Sequence, residues 1–113
     1  MDQGGYSLLL PLGLLEYFSI IKVEEKEKEL IIHLEEKNNI NQSAEIKLES
    51  KGFHPSVLVQ DFPVRNRKLL LNIVRRRWIN KETGEYVNRD FNIVADGTRM
   101  TQDLATFLKG LHR

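Results

Sequence analysis

The densest chemistry in this 113-residue chain is the run Arg75-Arg76-Arg77-Trp78. Three guanidinium groups and an indole in sequence suit a polyanion carrying flat bases. A guanidinium fork can take phosphate oxygens or a guanine edge bidentately, and an indole offers a face for stacking or for a cation–π contact. Arg65 and Arg67 precede the run, Lys81 follows it, and Arg89 and Arg99 extend the basic set. Neighbouring residues on a strand point to opposite faces, so at least one of the three arginines faces inward. There it needs a partner or a ligand-facing edge. The competing reading makes Trp78 a core residue and the arginines a solvated surface.

Charge separates along the chain. Residues 1–50 hold five Lys against nine Glu and one Asp, a net of −5. Residues 51–113 hold four Lys and eight Arg against two Glu and four Asp, a net of +6, and every arginine lies there. The overall +1 conceals this asymmetry. It points to a nucleic-acid surface on the basic part, or to a dipolar molecule whose halves pair with each other.

Other chemistry is poorly supplied. Cysteine is absent, which excludes disulfides, thiolate zinc sites and cysteine nucleophiles. There is no Gly-rich phosphate loop, nucleophile elbow or HExxH motif. His33, His54 and His112 are far apart, and Asp61, Asp90, Asp96 and Asp103 each have a local role in a strand, turn or helix start. A nuclease built on Asp61 and Asp90 is the weakest alternative. No cofactor or metal is expected. The apolar stretch 7–15 is about half the ~20 residues that span a bilayer, and its flank has no Lys or Arg. A cytoplasmic protein with no membrane partner is expected.

The positioning elements read as α+β, mostly antiparallel hairpins and a meander between two helices. Pro11 suits the start of a short helix over 12–18. Strands Phe18–Glu25 and Glu29–Glu36 form a hairpin, with Leu30, Ile32 and Leu34 alternating against Ile31, His33 and Glu35. Residues 37–43 are a loop, 44–49 a third strand and 50–55 a break where the charge changes sign. Runs 56–62, 68–80 and 85–94 form a three-stranded meander, with turns at 63–67 and 81–84. Residues 95–97 end it. Thr101 caps a final helix with Asp103 in its first turn and Leu104, Phe107, Leu108 and Leu111 on one face. Residues 1–50 and 51–113 are thus an acidic and a basic subregion of one compact domain.

From residue 54 to 111 the chain resembles the N-terminal region of the ISL-type bacterial insertion-sequence transposases, especially the ISAon-type branch. Val59-Gln60-Asp61-Phe62-Pro63 is similar to the family's "v-x-D-l-P" turn, and the strand ending in Arg75-Arg76-Arg77-Trp78 to its "RRF/RRW" strand end. The turn at 81–84 and Phe91 follow, then Gly97-Thr98-Arg99-Met100-Thr101 with Leu104 and Leu108, similar to its "R-x-T-x-x-L" helix start. In the N-terminal half, Gly13-Leu14-Leu15-Glu16-Tyr17-Phe18 and Leu34-Glu35-Glu36-Lys37-Asn38 resemble the ISAon-type branch. The resemblance implies a zinc-ribbon-like region, here without zinc because 80–85 contains no Cys or His. It also implies a non-catalytic accessory module, since the family's carboxylate triad lies in a later domain. That module would bind the element's terminal repeats through Arg65, Arg67, Arg75, Arg76, Arg77, Trp78, Lys81, Arg89 and Arg99. The alternative is a protein-interaction module that docks the catalytic transposase chain or forms a homodimer.

Overall fold

The computed structural model describes residues 5–11, 13–38, 47–87 and 99–111. Among the described residues seven strands make two sheets: β1 (Phe18–Glu25), β2 (Glu29–Glu36), β3 (Leu48–Phe53), β4 (Val57–Val64), β5 (Arg67–Val74), β6 (Arg76–Asn80) and β7 (Tyr86–Val87). The α-helix among them, α1 (Gln102–Leu111), comes last. The larger sheet has the order β1-β2-β5-β4, the smaller β3-β6-β7. The fold is α+β and mostly antiparallel.

β2 forms because its branched and aliphatic residues alternate with polar ones, and every second residue is buried along its whole length. Leu30, Ile32 and Leu34 pack with Leu69, Leu71 and Ile73 of β5, Val59 of β4, Phe18 and Leu14. Burying each such side chain contributes roughly 1.5–3 kcal/mol, so this row is the main stabilising term. The expected hairpin of β1 and β2 is present, with a bulge at Ile21.

Four expectations need correction. In place of a helix over 12–18 there is a 3-10 turn, Leu14–Glu16, entered through Gly13 at φ 84°, and Phe18 already belongs to β1. A second short 3-10 turn spans Tyr6–Leu9. Residues 44–46 of the expected third strand lie outside the described residues, and β3 runs on through the expected break, because Gly52 at φ 82° bulges the strand rather than ending it. β2 and β5 pair in parallel, from Glu29 opposite Lys68 to Glu35 opposite Val74, so the acidic and basic halves share one sheet. Finally, the run 68–80 is two strands in different sheets, so the meander does not form as one sheet. Residues 88–94 of its third strand and the break at 95–97 lie outside the described residues.

The division at Arg75 has a physical cause. Leu69, Leu71 and Ile73 face the core, and continuing that alternation would put Arg75 inward. An unpaired guanidinium there would be costly. The chain leaves the strand at Arg75, exposes it, and resumes one residue out of phase, so that Arg76 and Trp78 face in while Arg77 faces out.

The turn between β4 and β5 places Arg65 at φ 46° and Asn66 at φ 64°, the pairing of a type I′ hairpin. Thr101 caps α1 as expected. Its hydroxyl accepts from the Leu104 N–H at 3.2 Å and donates to the buried Asp61 carboxylate at 2.8 Å. Phe107 meets Phe62 edge-on at 5.5 Å. Among the described residues no helix is long and apolar enough to cross a membrane.

Candidate nucleic-acid interface

Glu36 closes the inward row of β2 and is 2% exposed. One carboxylate oxygen accepts the backbone N–H of Arg76 at 2.9 Å, and the other accepts the indole N–H of Trp78 at 2.7 Å. The Arg76 Nε–H donates to the Glu36 carbonyl at 2.9 Å, Nη1 reaches the Ser50 hydroxyl at 3.0 Å, and Nη2 lies 3.8 Å from the Glu35 carboxylate. The same guanidinium stands 4.7 Å from the centroid of the Phe53 ring, opposite it in the β3–β6 register. The buried carboxylate is thus satisfied by the Arg76 backbone and Trp78, and the inward guanidinium by the Glu36 carbonyl, Ser50 and Glu35, where the two sheets meet.

Two site residues change roles as a result. Trp78 is fully buried and offers no face to a base. Arg76 is engaged on four sides and faces β2 and β3. Both hold the sheets together.

The outward residues of the motif remain. Arg75 and Arg77 are exposed on either side of Arg76, and Lys81 is exposed in the turn after β6. Among the described residues, none of the three has a carboxylate partner. Arg75 is fixed through its backbone, its carbonyl accepting the His54 N–H at 2.8 Å. Beside Arg77 lies a shallow pocket of about 120 Å³ lined by His54, Arg77, Tyr86 and Val87 over Trp78. Neither His54 nor Tyr86 belongs to the expected basic set, and Tyr86 is 67% exposed. The pairing of β7 with β6 brings Tyr86 and Val87 beside Arg77, and the bond from the His54 N–H to the Arg75 carbonyl brings His54 in from the β3 side.

The other basic residues stand apart. Arg65 and Arg67 sit at the far end of β5, about 26 Å from Arg75 at ~3.3 Å per residue. Arg67 lies 3.8 Å from the Glu25 carboxylate. The exposed Arg99 is held beside the middle of β4, its carbonyl accepting the Gln60 N–H at 2.7 Å. The expected set therefore does not form one contiguous patch. Arg89 lies outside the described residues. Among the described residues, ion pairs between the halves join Glu35 with Arg76, Glu25 with Arg67 and, across the boundary itself, Glu49 with Lys51.

The turn at 80–85, where the resembled family carries cysteines, closes on itself. The Gly84 N–H donates to the Asn80 carbonyl at 2.7 Å, the Asn80 N–H to the Glu85 carbonyl at 2.8 Å, and the Glu82 N–H to the Asn80 side chain at 2.8 Å. Among the described residues, no group of three or more His, Asp or Glu side chains is placed to hold a metal ion. Asp61, considered for metal-dependent cleavage, is 5% exposed and bound to Thr101 at the start of α1. Searched against protein-family models, curated proteins and solved structures, the chain matches none.

Proposed function

We propose that the chain is a non-catalytic DNA-binding module, the N-terminal module of an insertion-sequence transposase. It grips the phosphate backbone through the outward side chains of Arg75 and Arg77, with Lys81 beyond them. The observation that carries this reading is the change of phase at Arg75. It turns one arginine inward to Glu36 and leaves its two neighbours exposed without a carboxylate partner among the described residues. The resemblance in sequence supplies the biological setting, and terminal repeats of the element are the natural duplex. Fluorescence anisotropy with a labelled terminal-repeat duplex and a scrambled one tests it. The duplex should bind at low salt, and Arg75→Ala/Arg77→Ala/Lys81→Ala should weaken binding to both duplexes. Absence of binding at low salt overturns the proposal.

A second observation favours protein docking. Leu58 and Phe62 on β4 and Phe107 on α1 are all more than a third exposed, and the two rings already touch. A catalytic chain or a second copy could cover them. Sedimentation of wild type and Phe107→Ser across concentration separates a self-associating surface from one that stays monomeric alone.

A further inference from the structure

The pocket between β6, β7 and the residue before Pro55 is too small for an extended ligand. Its volume of about 120 Å³ is well below the roughly 300–1,000 Å³ of a drug-sized site, and suits one planar ring system. It is lined by His54, Arg77, Trp78, Tyr86 and Val87, four of which carry side chains with planar groups. Tyr86 lies opposite Ile79 in the β6–β7 register, so it stands diagonal to Arg77 on the same face, at the roughly 7–8 Å from which an aromatic ring and a long side chain meet around a guest. Neither residue has a ring or ion-pair partner among the described residues. Tyr86 is left 67% exposed beside this cation, so its ring is open to a planar guest.

A nucleobase with its phosphate matches this pairing of flat face and positive charge. Bases within a duplex are stacked and cannot enter, whereas an unpaired base presents both faces. We propose that the pocket seats one unpaired nucleobase against Tyr86 and His54 and holds the adjoining phosphate on Arg77. The module would then prefer DNA with a single-stranded or frayed end. This inference rests on the DNA-binding reading above and narrows it. The stacking role expected of Trp78 passes to Tyr86.

The test compares three labelled probes: a blunt duplex, the same duplex with a short single-stranded overhang, and a short oligothymidylate. Trp78 is the only tryptophan, so its emission reports occupancy of the pocket independently of the label. The overhang duplex should bind roughly 5- to 150-fold more tightly than the blunt one, the share that one stacked base contributes. Tyr86→Ala should remove that advantage, and Tyr86→Phe should keep it, since the ring and not the hydroxyl does the stacking. Equal binding of blunt and overhang duplexes by the wild type overturns the inference and leaves the DNA-binding reading standing. So does a loss in Tyr86→Ala that is equal for both. Binding of none of the probes overturns both.

Discussion

Removing the Glu36 carboxylate should separate the two sheets energetically while leaving every outward arginine in place. Glu36→Ala deletes the acceptor for the Arg76 N–H at 2.9 Å and for the Trp78 indole N–H at 2.7 Å, both donors in a region closed to water. A hydrogen bond to a charged group contributes about 1.5–3 kcal/mol net, and a buried donor left without an acceptor costs a further desolvation penalty. We expect Glu36→Ala to lose about 3–5 kcal/mol from a total of roughly 5–15 kcal/mol. Glu36→Gln should lose less, because it keeps one acceptor. Urea unfolding followed by far-ultraviolet circular dichroism reads this directly, and the midpoint should fall by about 2 M for an m-value near 2 kcal/mol per M. A double-mutant cycle with Trp78→Phe should show coupling well above the ~0.5 kcal/mol scatter of independent sites. A loss below about 1 kcal/mol, or purely additive single changes, would refute the Glu36 junction.

Three further predictions follow from particular contacts. Arg76→Ala should destabilise by about 2–4 kcal/mol, whereas Arg75→Ala and Arg77→Ala should each stay within roughly 0.5 kcal/mol of wild type in the same urea experiment. The reverse order would mean that the inward phase is misassigned. Arg65 occupies a left-handed position that asparagine or glycine adopts more easily, so Arg65→Asn should raise stability by about 0.5–1 kcal/mol, seen as a higher Tm. Two titrations carry a sign. The Glu24 carboxyl is held below its ordinary 4.5, chiefly by the bond from Lys22, whose ammonium lies 3.0 Å away. It therefore stabilises the fold above that value and loses this as pH falls through the lowered one. Tyr6 is pushed above its ordinary 10.0, chiefly by its hydrogen bond to Glu25, so its contribution holds below 10.0 and is lost as pH rises through the raised value. Lys22→Gln should move the Glu24 carboxyl resonance's midpoint upward, and Glu25→Gln should lower one of the three tyrosine midpoints in an absorbance titration.

The parts legible in the sequence are those fixed by neighbours along the chain. Alternation in β2 shows in Leu30, Ile32 and Leu34, and the cap shows in Thr101 with Leu104 a turn later. The inward arginine was also foreseeable, because three consecutive arginines on a strand cannot all face water. What the sequence does not carry is which arginine turns in. The inward one is met by Glu36, 40 residues earlier, whose carboxylate accepts the Arg76 backbone N–H and whose carbonyl accepts its guanidinium. The run 68–80 holds no Gly or Pro to mark its division, so it reads as one strand. In β3 the opposite error arises, because Gly52 beside Phe53, His54 and Pro55 reads as a break when it serves as a bulge. The parallel pairing of β2 with β5 is likewise invisible to local pattern, since each strand's alternation fits either direction. The site suffered most from this. Trp78 was the obvious aromatic, and its burial follows from a partner no spacing rule connects to it. The exposed Tyr86 gains its place from a two-residue strand.

The most direct test of the DNA-binding reading is the salt dependence of duplex affinity for wild type beside the Arg75→Ala/Arg77→Ala/Lys81→Ala variant. Three phosphate contacts give a slope of about −3 in log affinity against log salt. The variant should lose most of that slope together with its affinity, while Arg65→Ala/Arg67→Ala, at the far end of β5, should keep it. An unchanged slope in the triple variant would contradict the account.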